Sequence, residues 1–464
     1  MNKEKKGFAV PHVYVILLSL IFICSVLSYV VPAGQYETAM INGREMIDAS
    51  TYHTVESTPV TLMQMLSAVP RGMTESAQII FFIFIVGGAF AIIQKSGAIE
   101  AGIGKVCQLL HGKTLVIIPV ILFLFSMGGA VFGMSEETIP FIPIFVSLCI
   151  AMGYDSITGT AIVFCGAAAG YAGAFMNPFT MQLAQGIAGL PLLSGMGFRV
   201  VMYVTYLIVT SVCIMAYAVR VKKNPKASPM YEEDRAREDI IDLNHLKAFG
   251  PAEKAILCVF AASIALLVFG VINWGWYMDE IAALFIGMAI VVAAIAKMTP
   301  NEFAVTFGSG MAEIASGALV IGFARGLLVV LTDGNILHTI LYAAASVLQS
   351  LPSLFSALGM YVFQCLLNFL VPSGSGQAAV SIPIMAPLGD LVGVSRQTAC
   401  IAYQLGDAIS NIFTPTSGFF MAGLAFAKIP WTKWAKWILP LISIQYALGA
   451  VFVIIAHMIG LGPF

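Results

Sequence analysis

The sequence predicts an all-α membrane protein made of two inverted repeats, each with a re-entrant hairpin and a broken helix, and three observations carry that prediction. Hydrophobic residues make up 59% of the 464-residue chain and charged residues only 10%, with a mean hydropathy of +0.91. A soluble domain is about half apolar and a quarter charged, so the excess must meet lipid. Two long apolar runs, 115–153 and 354–393, are each interrupted by a short polar tip, Gly133 to Thr138 and Pro372 to Gln377. The second run also repeats the first: Ile142-Pro143-Ile144 and Gly153 recur as Ile382-Pro383-Ile384 and Gly393 at a constant offset of 240. Around them Gly97-Ala98-Ile99 matches Gly334-Asn335-Ile336, Asn177-Pro178 matches Thr414-Pro415, and Leu190-Pro191 matches Ile429-Pro430, in the same order in both halves.

Taken along the chain, Lys3, Lys5 and Lys6 precede the apolar run His12 to Val31. That run is too long for a signal-peptide core and no A-x-A site follows, so it reads as a retained helix with a cytoplasmic N-terminus. A spanning length of roughly 20 apolar residues places further helices near 76–94, 157–176, 198–219, 254–272, 279–297, 311–331, 397–413 and 433–457. Stretches 98–110 and 336–349 are amphipathic and flanked by glycine. The hairpin tips are rich in helix-ending and capping residues. Irregular backbone at membrane depth is tolerated only where protein or a watery cavity satisfies its polar groups, so the tips predict a buried polar site.

The first repeat is expected over 1–219, with hairpin 115–153 and broken helix 157–190. The second covers 273–464, with hairpin 354–393 and broken helix 397–427. Between them lie a charged linker, 220–253, with Pro225, Pro229 and the run Glu232 to Asp239, and an unmatched connecting helix, 254–272, that turns the second repeat over. Basic residues beside the spans set the orientation. Lys95, Lys105 and Lys113, then Arg220, Lys222 and Lys223, then Lys428, Lys433 and Lys436 mark inner loops. Segment 32–75 carries Glu37, Glu45, Asp48, Glu56 and Glu75 against Arg44 and Arg71, and lies outside. The first hairpin then enters from the cytoplasm and the second from outside.

Several function classes fall away. A net charge of −1 leaves no basic field for nucleic acid. The eight cysteines form no C-x-x-C pair and the six histidines no metal motif, so no metal or other cofactor is expected. Cys107-x4-Gly112-Lys113-Thr114 resembles a Walker A loop whose first glycine is cysteine, with no strand before it. Tyr154-Asp155 with Gly406-Asp407 resembles an intramembrane aspartyl protease, yet Gln404 stands where that signature has glycine, and Asp155 beside Ser156 is explained by helix capping, which leaves the protease as a remote alternative.

Inverted repeats with discontinuous helices are the pattern of secondary transporters, whose site lies at the repeat interface. The tips offer Ser135, Glu136, Glu137 and Thr138 from one hairpin and Ser373, Ser375 and Gln377 from the other. The breaks offer Asn177 and Thr180, and Ser410, Asn411, Thr414 and Thr416. Helix N-termini after each break favour a carboxylate, and freed carbonyls a cation. An ionised acid at membrane depth is costly unless paired. Glu136 and Glu137 therefore read as a partner for a cationic group, a proton carrier, or, for at least one of them, a cap on the following half-helix. Arg325 and Asp407 are the other charges deep in spans, as substrate ligands or as a mutual ion pair.

The tip Gly-Met-Ser-Glu-Glu-Thr with Pro-Phe-Ile-Pro, and the opening Val-Pro-His-Val-Tyr followed by Val-Pro-Ala-Gly-Gln-Tyr, resemble the YfcC-like basic amino acid antiporters of the ion transporter superfamily, relatives of the anaerobic C4-dicarboxylate carriers. The resemblance covers the whole chain. It implies an elevator-type secondary transporter in which hairpins and broken helices move against a scaffold that often dimerises, in the inner (plasma) membrane. Related sodium-coupled carriers place Ser-Asn-Thr clusters at tips and breaks; Ser410-Asn411 and Thr414 fit that loosely, while Ser135-Glu136-Glu137-Thr138 departs from it. The coupling ion, proton or sodium, stays open. An acid at the tip suits an amino or guanidinium group, which favours an arginine or ornithine type of substrate, with a C4-dicarboxylate as the alternative.

Overall fold

A computed structural model describes residues 12–41, 44–48, 50–99, 101–102, 105, 114–237, 249–276 and 278–462. The predicted amphipathic stretch 98–110, the N-terminal lysines and the end of the charged linker fall largely or wholly outside these residues. Eight of the described helices are long and apolar enough to cross a membrane.

The chain opens with α1 (Val13–Leu27), only 15 residues of the predicted 12–31 run, and two short antiparallel ribbons follow. In these, β1 (Gly34–Gln35) pairs with β4 (His53–Thr54), and β2 (Thr38–Ile41) with β3 (Arg44–Ile47). Then come α2 (Leu62–Glu75) and α3 (Ala77–Ser96). The first long apolar run is α4 (Ile117–Met127) with a π turn to Phe132, the tip, a 3-10 segment from Glu136, and α5 (Ile142–Ala151). Next are α6 (Ser156–Gly173), the short α7 (Met181–Ile187) and α8 (Met196–Lys223). A small α9 (Tyr231–Arg235) precedes α10 (Pro251–Trp274), α11 (Met278–Ile295) and α12 (Pro300–Asp333). The second half continues with α13 (Leu337–Gln349), α14 (Ser353–Leu370), α15 (Gly374–Val392), α16 (Arg396–Ser410), α17 (Gly418–Phe426) and α18 (Trp431–Met458).

Local chemistry explains where these helices start and stop. Helix α12 begins 11 residues before the predicted 311 because Thr299 and Glu302 form a capping box with Pro300 in the first turn, a polar start that an apolar window passes over. At 34 residues it is about 50 Å long, well beyond the hydrocarbon thickness. Helix α6 ends at Gly173 rather than 176 because Ala174 turns into the left-handed region at a φ of 41°, and α16 ends at Ser410 rather than 413.

The buried apolar residues form two large clusters. One unites α4 to α8 with α14 to α18 and takes in Leu17 of α1 and Val320 and Ala324 of α12, and Phe164, Phe420 and Trp434 meet within it. The other joins α3, α10, α11 and α12 through residues such as Phe90, Phe285 and Ile314. Helices α3 and α12 approach closely because a Cβ on Gly310 would lie 2.6 Å from the Gly87 carbonyl oxygen, so only glycine fits. A smaller cluster packs α1 and α13 against the far end of α12.

The described part of the linker is tied down rather than loose. Asp155 caps α6 through the Thr158 amide at 2.9 Å and also accepts from the hydroxyls of Ser228 and Tyr217. Asp234 accepts from the Ser156 amide at 2.9 Å and from Arg237, which also reaches the Ala427 carbonyl. Burial lifts the Asp234 carboxyl above the usual range, with the Ser156 bonds opposing that shift. Lys433 closes the set on Glu233.

Candidate substrate site

The two tips meet. A cavity of about 340 Å³ is lined by Ser135, Glu136 and Glu137 from the first tip, by Ser373 and Ser375 from the second, and by Asn411 and Thr416 from the break after α16. That volume is at the small end of the roughly 300–1,000 Å³ of ligand pockets, enough for one small metabolite. The cavity also takes in Glu75 and Ser76 from the α2–α3 turn, Arg325 on α12 and Tyr171 on α6.

The first tip turns at Gly133, whose φ of 68° needs glycine, and a Cβ there would collide with the Asn177 side chain at 2.5 Å. Both glutamates sit in the first turn of the 3-10 segment, yet they are used differently. The Glu137 carboxylate accepts from the Ser135 backbone amide at 3.0 Å and so holds its own turn together. Glu136 is bonded to the Ser135 hydroxyl, a partner that leaves it open to the cavity. Thr138 is fully buried and donates to the Ser135 carbonyl.

The second tip delivers the N-terminus of α15. Ser373 caps it by accepting from the Gly376 amide at 3.3 Å, and the helix begins at Gly374 beside the cavity. Its free amides and dipole form a site for a carboxylate. Helix α17 also starts at the cavity wall, with Gly418 and Phe419, and no side chain caps it.

The remaining predicted residues stand behind the wall. Asn177 is fully buried, and its Oδ1 accepts from the Phe179 and Thr180 amides at 2.9 and 3.2 Å while its amide donates to Gly129. It braces the break before α7 and does not line the cavity. Ser410 bonds to the Tyr446 hydroxyl at 2.9 Å, and Thr180 and Thr414 are buried with no hydrogen-bond partner for their hydroxyls among the described residues.

Gln377 and Asp407 belong to a polar chain that the sequence reading missed. Gln364 donates to Ser381 at 3.0 Å, and Gln377 donates to the Gln364 side chain at 2.8 Å. Asn368 donates to Gln377 at 3.0 Å and also to Asp407 Oδ1 at 3.0 Å, where Asn411 adds a second donor at 2.8 Å. This chain ties both arms of the second hairpin to α16. Its signal lay in the sequence: Gln364 and Asn368 stand four apart in an apolar run, on one helix face, where polar groups in a span mark function.

One of the two readings of Arg325 and Asp407, their mutual ion pair, does not hold. Arg325 is not paired with Asp407; its Nε donates to Glu75 at 2.8 Å, with side chains 42% and 41% exposed. Such a half-exposed pair contributes at most about 1 kcal/mol. The sequence could not show it, because the partners lie 250 residues apart. Asp155 and Asp407 have separate hydrogen-bond sets with no shared partner, the first at the start of α6 and the second within α16. Among the described residues no group of histidine, cysteine or carboxylate side chains is placed to hold a metal.

The family model described as the C4-dicarboxylate anaerobic carrier, DcuC, matches residues 10–458. A candidate basic amino acid antiporter, YfcC, of Escherichia coli strain K12 is 34% identical, with 99% of this chain and 98% of the relative aligned. An uncharacterized protein of Haemophilus influenzae is 28% identical over 98% of both chains. The Alcanivorax borkumensis YdaH transporter structure covers 98% of this chain and 100% of its own at 15% identity and a TM-score of 0.44, a likeness too distant to bear on the site. With apolar helices fit to cross a bilayer, a carrier family model matched over residues 10–458 and a full-length relative named as an antiporter, the chain belongs to the DcuC family of membrane carriers and is a multi-pass membrane transporter.

Proposed function

We propose that this protein is a secondary active antiporter for basic amino acids of the arginine or ornithine type, and one observation carries the reading: Glu136 faces a small cavity across from the N-terminus of α15. A basic amino acid presents a carboxylate and a distant cation. The carboxylate meets the α15 amides with Ser373 and Ser375, and the cationic end meets Glu136. The name of the YfcC relative supports the same substrate class. Two inverted repeats, the first hairpin opening to the cytoplasm and the second to the outside, carry this site in the plasma membrane of a homodimer. The hairpins and broken helices move as an elevator against the remaining helices, as in the resemblance that first suggested it. The coupling ion is a proton or sodium, and no other cofactor takes part.

The reading is tested by equilibrium binding of labelled arginine to the purified protein. Ornithine and lysine are expected to compete, and fumarate and succinate are not. A second reading, an ion-coupled C4-dicarboxylate carrier, is favoured by Arg325 on the same cavity wall and by the description of the family; competition by succinate alone would select it. The inverted arrangement of the hairpins is checked separately by cysteine labelling. Ser135→Cys is expected to react with a membrane-impermeant reagent only from the cytoplasmic side and Ser375→Cys only from outside. Labelling of both from one side in every transport state would contradict it.

A further inference from the structure

The carbonyls set free at the two helix breaks are met by side chains from equivalent places in the chain. Phe175 and Ile412 each stand two residues before the matched pair Asn177 and Thr414, between the halves of their broken helices. Among the described residues no backbone amide donates to either carbonyl. Arg199 donates to the Phe175 carbonyl at 3.2 Å, and the Trp434 indole Nε1 donates to the Ile412 carbonyl at 3.0 Å. Each donor is the fourth residue of the long helix that follows, α8 in one half and α18 in the other, and both are fully buried. Each bond has a companion: Arg199 also donates to the Ser194 carbonyl, and the Trp431 indole to the Phe413 carbonyl at 2.9 Å.

Arginine and tryptophan have in common a planar N–H donor on an apolar body, so what the two halves share is the bond rather than the residue. A backbone carbonyl without a donor at membrane depth is costly, and a break that lost its donor would turn to find another. Phe175 follows the C-terminus of α6, where the helix dipole favours a cation and so accommodates a buried guanidinium. What each bond holds differs. Next to Phe175, the Met176 amide donates to the Ala130 carbonyl at 3.1 Å and Asn177 donates to the Gly129 carbonyl at 3.4 Å, both on the turn that leads into the first tip. Arg199 therefore acts through the first break on the tip that carries Glu136. Ile412, Asn411 and Thr416 line the substrate cavity themselves, so Trp434 acts on that wall directly.

We propose that Arg199 and Trp434 are positioning residues for transport, one for each broken helix: Arg199 sets the first tip and with it Glu136, and Trp434 sets the cavity wall at Asn411, Ile412 and Thr416. Neither lines the cavity. Their effect on arginine rests on the basic amino acid reading; the bracing of the breaks does not.

The test has two readouts on the full chain in nanodiscs. Hydrogen–deuterium exchange reads the breaks without substrate. Trp434→Phe, which keeps a ring beside Phe420 and loses the N–H, is expected to raise exchange about tenfold at 411–417 and to leave 174–180 unchanged, and Arg199→Met the converse. Binding of labelled arginine, counted per folded molecule, reads the consequence. Each variant is expected to weaken it about tenfold. Placed in Glu136→Gln, Arg199→Met is expected to cost less than about twofold more, because the group it positions is gone, whereas Trp434→Phe keeps its full effect. An arginine that only stabilises the fold would cost the same in both backgrounds. Arg199→Lys, which restores a donor and the charge, is expected to recover part of the loss, and it takes the place of Arg199→Met if that variant does not fold. Unchanged exchange at both breaks overturns the proposal, as does an equal cost of Arg199→Met with and without Glu136. Raised exchange at the matching breaks in a protein that binds no arginine keeps the braces and rejects the basic amino acid substrate.

Discussion

Replacing Glu136 by Gln is expected to lower arginine affinity by about a hundredfold, because removing the charged partner of a desolvated cation typically costs 2 to 5 kcal/mol or more. The substitution keeps the size of the side chain and one acceptor oxygen, and removes the charge that pairs with the cation. Glu137→Gln is expected to stay within a few-fold of wild type. Its carboxylate accepts from the Ser135 amide, and a glutamine carbonyl accepts that same bond. Radioligand binding on the two purified variants measures the difference. A hundredfold loss in Glu137→Gln with Glu136→Gln unaffected would exchange the roles, and arginine affinity retained in both would remove the acidic tip from the site. Arg325→Ala is expected to spare arginine binding, since its pair with Glu75 is half exposed.

Gly170→Val is expected to destroy the fold of the first hairpin. A Cβ on Gly170 would stand 1.9 Å from the Ser126 carbonyl oxygen, where α6 lies backbone to backbone against α4. Backbone cannot rotate away as a side chain can, so the cost exceeds the usual 1–3 kcal/mol of overpacking. Size-exclusion chromatography of a fluorescent fusion reads this as loss of the monodisperse peak. Gly287→Ala on α11 is the control, since a Cβ there meets nothing within 4 Å. A monodisperse Gly170→Val protein with wild-type binding would mean that α4 and α6 do not pack as described.

What the sequence made legible was what local chemistry writes into it. The tips at Ser135 and Ser373 announced themselves through glycine, serine and proline, which end and begin helices wherever they stand, and both tips line the cavity. The break after α16 was legible for the same reason, through Thr414-Pro415. The start of α12 was not, because hydropathy is blind to a capping box at Thr299. Asn177 looked like a ligand from its neighbours in sequence, yet the Phe179 and Thr180 amides claim its oxygen first. Arg325 was matched in sequence only with Asp407, and the packing of α2 on α12 brings Glu75 to it instead. The chain from Ser381 through Gln364, Gln377 and Asn368 to Asp407 was present as spacing, but its joining to α16 depends on how the hairpin folds back.

The central claim is exchange of cationic amino acids, and counterflow measures it most directly. Proteoliposomes loaded with unlabelled arginine, without ATP and with identical ions on both sides, are placed in trace labelled arginine. Transient accumulation of label is expected, abolished when the lumen holds no amino acid, matched by ornithine inside, and absent with fumarate or succinate inside. Accumulation driven by internal succinate but not by internal arginine, or uptake that requires ATP, would contradict the account.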